Sequence, residues 1–299
     1  MRPPTLSILI PAYEYPFGVK RILDLVLKSS ALNPELSFEC IVSDDSKTDN
    51  VKYMIEKHGI NNHKGFKYHK RNKSLGAADN WNFLLVAASG DYVHFMHHDE
   101  FPDRDDFYSV LIKELQSAPV FDVLFLRCYV PTFIKNRFRA HVSFSLRRLY
   151  FISIAGLFLR NTVGAPSCAV VKREHCVLYD TRLTWIVDID WYYRILTQKN
   201  CIYSFSNLGY ISVLRGESIT SSIKSEVSFI DKTERALVKK KYPALFIDRF
   251  EDSSSLFYKA FLLLENIFWH GVWLLYYPFG LAFGKTVNSD VVEGTEDDC

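Results

Sequence analysis

Apolar residues come in short runs along the first 130 positions, and polar clusters separate the runs. Leu6–Pro11 has strand length and is broken only by Ser7. Val19–Ser29 changes period: Val19, Ile22, Leu23 and Val26 share one helical face, with Gly18 just before them. Phe38–Ser43 reads as a strand, Asp49–His58 as a helix and Phe66–His69 as a strand. Gly76–Ala88 is a small-residue helix, Tyr92–Met96 a strand, Phe107–Gln116 a helix and Val120–Tyr129 a strand. Pro102 and Asp103 open that last helix. Apolar strands alternating with helical stretches predict βαβ units. The fold class is α/β, with a mostly parallel central sheet flanked by helices on both faces.

In such sheets ligands bind beyond the carboxyl ends of the strands. Tyr13-Glu14, Asp44-Asp45, Arg71-Asn72 and His98-Asp99-Glu100 follow the first four predicted strands. Any one of them reads as a strand-ending loop. All four on one rim predict a site.

After Pro131 the pattern loosens. A turn at Gly164–Ser167 leads into apolar Cys168–Val171, and Trp185–Leu196 has helical spacing with Asp188 near its start. A helix dipole stabilises a carboxylate there. Ile202–Leu214 is mixed, and Glu226–Lys241 is a polar helix. Leu256–Gly284 is apolar and aromatic, and its part after Asn266 approaches the roughly 20 residues of a bilayer span. His270, Pro278 and internal glycines interrupt it, so it reads equally as an in-plane membrane helix or a core helix. Residues 1–220 read as one α/β unit with halves at about 1–100 and about 101–220. Residues 221–284 form a helical segment, and acidic 285–299 is expected to be a disordered tail.

Composition narrows the partners. A 299-residue chain, 48% hydrophobic and 23% charged, suits a globular protein with a sizeable core. A net charge of +2 argues against a nucleic-acid partner. Six scattered cysteines without a C-x-x-C pair read as reduced thiols, and no export signal is visible at the N-terminus. Both point to the cytoplasm, or to the cytoplasmic face of a membrane if the aromatic segment binds one.

Neither G-x-x-x-x-G-K-[ST] nor G-x-G-x-x-G occurs, so a phosphate-bearing ligand must be met in another way. Asp99 and Glu100 offer it: carboxylates hold Mg²⁺ or Mn²⁺, which in turn binds substrate phosphates. Zinc on His97 and His98 is disfavoured, because adjacent strand residues point to opposite faces.

T-L-S-I-L-I-P-A-Y, I-V-S-D-D-S-K-T-D, R-N-K-S-L-G-A-A-D-N-W-N, G-D-Y-V-H-F-M-H-H-D-E and W-I-V-D-I-D-W-Y-Y-R-I-L follow one another in that order. Over roughly residues 5–220 this order resembles family 2 glycosyltransferases of the GT-A fold, nearest to bacterial enzymes of O-antigen and surface-polysaccharide synthesis. The resemblance implies a metal-dependent, inverting transferase. It would move a sugar from a nucleotide-diphospho-sugar to a glycan or lipid-linked acceptor. The processive Q-x-x-R-W signature is absent, so one sugar is expected per transfer.

By the same resemblance, Pro11 and Tyr13 flank the nucleotide base, and Asp45 accepts a hydrogen bond from its ring N–H. Arg71 faces the diphosphate. Gly76, Ala77 and Ala78 let backbone approach the nucleotide, with Asn80 on the same face. Asp99 and Glu100 stand at the metal motif, Glu100 in place of an aspartate. Asp188 is the base, Asp190 its rival, and Trp191 part of the acceptor pocket. Val187 stands where the family pattern has a glutamate. Arg215 would pair with the diphosphate. Two other readings compete. One is a catalytically silent nucleotide-sugar-binding or partner-binding module on the same fold. The other is a nucleotidyltransferase, which would carry a glycine-rich basic loop where P-A-Y-E-Y-P stands.

Overall fold

The structure is a computed structural model. It describes residues 4–35, 37–117, 121–131, 137–141, 154–158, 161, 163–212, 226–243 and 285–286.

The first half builds a parallel sheet. Strands β1 (Leu6–Ala12), β2 (Phe38–Asp44), β3 (Phe66–Lys70) and β4 (Tyr92–Phe95) lie in the order β3-β2-β1-β4. Every residue of β1 and β2 is buried. Both faces are covered, which is why these strands read as continuous apolar runs. The covering helices are α1 (Pro16–Leu32), α2 (Asn50–His58), α3 (Ala77–Ala87) and α4 (Phe107–Ser117). Side-chain alternation sorts the core. Ile8, Ile10 and Val42 pack with Val19, Ile22 and Leu111 on the α1–α2–α4 face. Leu9 and Ile41 pack with Trp81 and Leu84 of α3 on the other.

Beyond β4 the pairing becomes mixed. Short β5 (Glu100–Pro102) precedes α4, and β6 (Val123–Pro131), β7 (Arg137–Ala140), β8 (Ala169–Lys172) and β9 (Tyr203–Ser212) follow it. β8 runs antiparallel to both β4 and β6, and β7 antiparallel to β6. β9 lies parallel to β6 and antiparallel to β5. The mostly parallel order is therefore the order of β1 to β4. Antiparallel neighbours need no crossover helix. Between β7 and β8, His141, Asn161 and Gly164–Pro166 border the site. The helix expected to open at Pro102 begins at Phe107, because Glu100–Pro102 pairs with β9 instead.

Helices α5 (Val187–Leu196) and α6 (Val227–Lys241) complete the elements that bear on the site. The aromatic segment 256–284 lies outside the described residues. Lys285–Thr286 forms β10 on the edge of β7, and the rest of the expected tail lies outside the described residues. Among the described residues no helix is long and apolar enough to cross a membrane. The described cysteines are all free thiols.

Candidate active site

A cavity of about 760 Å³ opens at the carboxyl ends of β1, β2 and β4, where the topology places a site. Pro11, Tyr13, Asp45, Gly76, Asn80 and Asp99 line one side of it. Asp45 is buried, and its carboxylate organises the loop ahead of α3. It accepts hydrogen bonds from Leu75 N at 3.1 Å, Ser74 Oγ at 2.9 Å and Gly76 N at 3.0 Å. The turn that ends β2 is closed by Asp44 instead, whose Oδ1 accepts Ser46 N at 2.9 Å. Gly76 has φ of +94°, a backbone conformation that side chains rarely adopt, so backbone geometry and not close packing requires glycine there. Asn80 donates to Ser43 O at 3.0 Å, and its buried Oδ1 has no hydrogen-bond partner among the described residues. Arg71 does not line the cavity. Its guanidinium lies 4.3 Å from the centre of the Phe83 ring, a cation–π contact that draws it onto α3.

The turn after β4 carries the histidine–carboxylate cluster. His97 stacks on Trp81 at 5.2 Å, while His98 Nδ1 lies 3.2 Å from Pro11 O, so the two rings serve different neighbours. Burial lowers the His97 pKa to about 4 and keeps its ring neutral. Among the described residues no three His, Cys, Asp or Glu side chains converge as metal ligands. Asp99 is half-buried on the cavity wall. Glu100 also touches the cavity, but it is buried, and its Oε2 accepts the Ser167 hydroxyl. Burial first, and the Asp99 charge second, push its carboxyl well up toward the protonated acid. β5 turns Glu100 toward Ser167, while Asp99 stays on the cavity wall.

The opposite wall comes from the second half. Asp188 is in the first turn of α5 and lines the cavity. Asn161 Nδ2 donates to its Oδ2 at 2.7 Å and Ile189 N to its Oδ1 at 2.8 Å. These bonds favour the anion, but burial outweighs them and pushes the carboxyl up to about 7, with the Glu234 charge adding to the rise. A carboxylate poised there suits general-base work near neutral pH.

Asp190 and Trp191 are placed elsewhere. Asp190 is fully buried and meets Arg194 Nε at 2.8 Å, Lys241 Nζ at 2.8 Å and the Tyr242 hydroxyl at 2.7 Å. Neither it nor Trp191 lines the cavity. Trp191 is a core residue rather than an acceptor wall: it is fully buried, stacks on Tyr179 at 4.8 Å and donates its indole N–H to Val177 O at 2.7 Å. Arg215 lies outside the described residues.

The cavity also takes Asn161, Trp185 and Arg235, which sequence reasoning missed. Asn161 sits where no periodicity marks it, and Trp185 opens the helical stretch without a signal that it lines a cavity. Glu234 did leave a signal. It shares the apolar stripe of α6 with Ile230, Leu237 and Val238, where a carboxylate is out of place.

No curated protein matches the chain. Solved structures do, at identities that speak to the fold alone. S. aureus TarS 1-349 in complex with UDP-GlcNAc superposes with a TM-score of 0.53 at 18% identity, covering 73% of this chain and 60% of that one. The mannosyltransferase PcManGT from Pyrobaculum calidifontis, in complex with GDP-Man and Mn²⁺, gives 0.54 at 13% identity, covering 90% and 81%. Glucosyl-3-phosphoglycerate synthase from Mycobacterium tuberculosis, with Mn²⁺, UDP and glucosyl-3-phosphoglycerate, gives 0.50 at 17%, covering 79% of each. The chain thus spans about 60% of the TarS fragment it resembles. The family model for glycosyl transferase family 2 matches residues 7–177, more than half the chain, from β1 through the β4 turn to the loop after β8. The chain belongs to glycosyl transferase family 2.

Proposed function

We propose that the chain transfers one sugar from a nucleotide-diphospho-sugar to an acceptor hydroxyl with inversion at the anomeric carbon. The carrying observation is Asp188: a carboxyl raised to about 7 on the cavity wall, across from the strand ends that bear Tyr13, Asp45 and Asp99. In this reading the β1–β2–β4 side holds the donor. Tyr13 offers a ring that is 41% exposed, and Asp45 fixes the loop at Ser74–Gly76 against which the nucleotide lies. The acceptor enters beside Asn161, Trp185 and Arg235. Asp188 takes the proton of the acceptor hydroxyl as its oxygen attacks the anomeric carbon, and the bond to the nucleoside diphosphate breaks with its electron pair on the departing phosphate. Asn161 holds the base in place by its hydrogen bond.

The donor set fits a divalent cation. Asp99 gives a hard oxygen on the wall, and Glu100 is an acid whose anion Asp99 disfavours and a cation would restore. Asp99 would hold Mn²⁺ or Mg²⁺, with Glu100 joining on deprotonation. A bound cation supplies Lewis-acid stabilisation of the leaving diphosphate. A glycan or lipid-linked acceptor in surface-polysaccharide synthesis, with peripheral contact to the cytoplasmic face of the membrane, completes the proposal.

The Ser167 bond to Glu100 favours a second reading, a silent nucleotide-sugar-binding module. A thermal-shift screen of nucleotide-sugars with and without Mn²⁺, followed by turnover of whichever donor stabilises, separates them. Metal-dependent stabilisation and turnover support the transferase. Stabilisation without turnover supports the silent module, and no response to any donor sinks both.

A further inference from the structure

Helix α6 brings a carboxylate to the start of α5 from outside it. Glu234 is only 6% exposed and does not line the cavity. Its Oε1 accepts Thr184 N at 2.6 Å, and its Oε2 accepts Trp185 N and Ile186 N, each at 3.0 Å. These three amides lead directly into α5, whose cap residue Ile186 makes no side-chain cap bond. A helix start leaves amide donors without intrahelical partners, and a local Ser, Thr or Asp usually accepts from one of them. Here a residue of another helix accepts from three in succession. Further along the same turn Asp188 accepts Ile189 N at 2.8 Å. Two carboxylates therefore accept from amides at the start of α5, one facing the protein and one facing the cavity.

We infer that Glu234 is a positioning residue for Asp188, holding Thr184–Ile186 so that the base is presented at the cavity wall. The inference rests on the role of Asp188 proposed above. The burial of Glu234 is supported by the three amide bonds, and α6 is itself fastened to α5 by Lys241 and Tyr242 on Asp190. Among the described residues Asp188 faces few other ionisable groups. They are the phenols of Tyr179 and of Tyr192 on its own helix, with Arg235 also on the cavity wall and the Asn161 amide neutral. Of the carboxylates acting on it, Glu234 is the one held on its own turn.

The test follows the Asp188 carboxyl by NMR in full-length protein carrying ¹³C at aspartate Cγ, with D188N identifying the signal. Wild type, E234Q and E234D are titrated and then assayed with the donor found by thermal shift. E234Q removes the charge and part of the amide binding. The Asp188 midpoint is expected to fall, and kcat to drop about tenfold to a hundredfold with donor KM little changed, as misplacement of a catalytic group does. E234D keeps the charge but draws the carboxylate back. The midpoint is expected to stay while the Asp188 chemical shift moves and kcat falls. An unmoved midpoint in folded E234Q would overturn the inference. If E234Q does not fold, E234D decides, and an Asp188 shift identical to wild type overturns it. A wild type that titrates as described but turns over no donor would remove the proposed reaction and leave the positional claim standing.

Discussion

Asp188 and Asp190 are two residues apart on α5, yet they meet opposite surroundings. Asp188 looks into the cavity, held by the Asn161 amide and by backbone N–H groups, with no cation in contact among the described residues, and burial raises its carboxyl to about 7. Asp190 looks into the protein, fully buried, with Arg194, Lys241 and Tyr242 around it. Removing a charge from water is costly in both places. At Asp190 two cations offset that cost, and the carboxylate becomes a brace between α5 and the end of α6. At Asp188 the cost is left in place, and it is what makes the group basic enough to take a proton at neutral pH.

The sharpest break of this comparison is D188N. Transfer is expected to fall by about 10²–10⁴ with donor affinity nearly intact, the range of a lost general base. Steady-state rates beside a donor-binding isotherm measure it, and substantial remaining turnover would hand the role to another group. D190A reverses the pattern. Stability is expected to drop by about 3–5 kcal/mol, because Lys241 and Arg194 lose their buried partner, while turnover per folded molecule stays near wild type. Denaturant unfolding with an active-site count would show it, and a pure rate loss would place Asp190 in the chemistry. W191A belongs with D190A at about 3–5 kcal/mol of stability, as for other buried tryptophans. A selective loss of acceptor affinity would return Trp191 to the pocket.

The smaller effects lie on the donor side and in pH. D45A strips the acceptor from Ser74 Oγ, Leu75 N and Gly76 N, and is expected to weaken donor binding by about 1–3 kcal/mol. Calorimetric titration of donor measures it, and unchanged affinity would detach the loop from the donor site. The pH effect is read as a slope. Between the ordinary carboxylate value of 3.8 and about 7, folded protein keeps the Asp188 proton while the unfolded chain has released it. Stability contributed by Asp188 therefore falls as pH rises through that window and is level above it. D188N is expected to lack that slope, so its Tm advantage over wild type grows from about pH 4 to about pH 7 and is constant above that. Parallel Tm curves would remove the raised value.

The legible parts of the chain share a physical reason. β1 and β2 are buried on both faces, so their apolar runs and the polar residues just past them mark strand and rim together. Asp45, Gly76, Asn80 and Asp99 all reach the cavity from such positions. β5 is three residues long and depends on β9 more than a hundred positions away, so nothing local separates Glu100 from a strand end. Arg71 is drawn off by a ring on α3 that its own neighbours do not announce. The resemblance assigns Trp191 to the acceptor pocket, although its spacing carries a core signal: with Val187 and Ile195 it falls at intervals of four on one helical face. The surroundings of Asp188 were not legible, since Asn161 and Glu234 come from distant parts of the chain and act through bonds that spacing does not encode.

Gly18 lies on α1, outside the cavity, where an added Cβ would sit 1.9 Å from the carbonyl oxygen of His98. The first turn of α1 is thus the floor beneath the turn that presents Asp99. Mutational tolerance follows from that. At most exposed helical positions alanine is among the mildest changes, but at Gly18 one methyl group must displace either the helix or the His98–Asp99 backbone. A random library scored for activity would therefore find position 18 as intolerant as the cavity itself, although no ligand touches it.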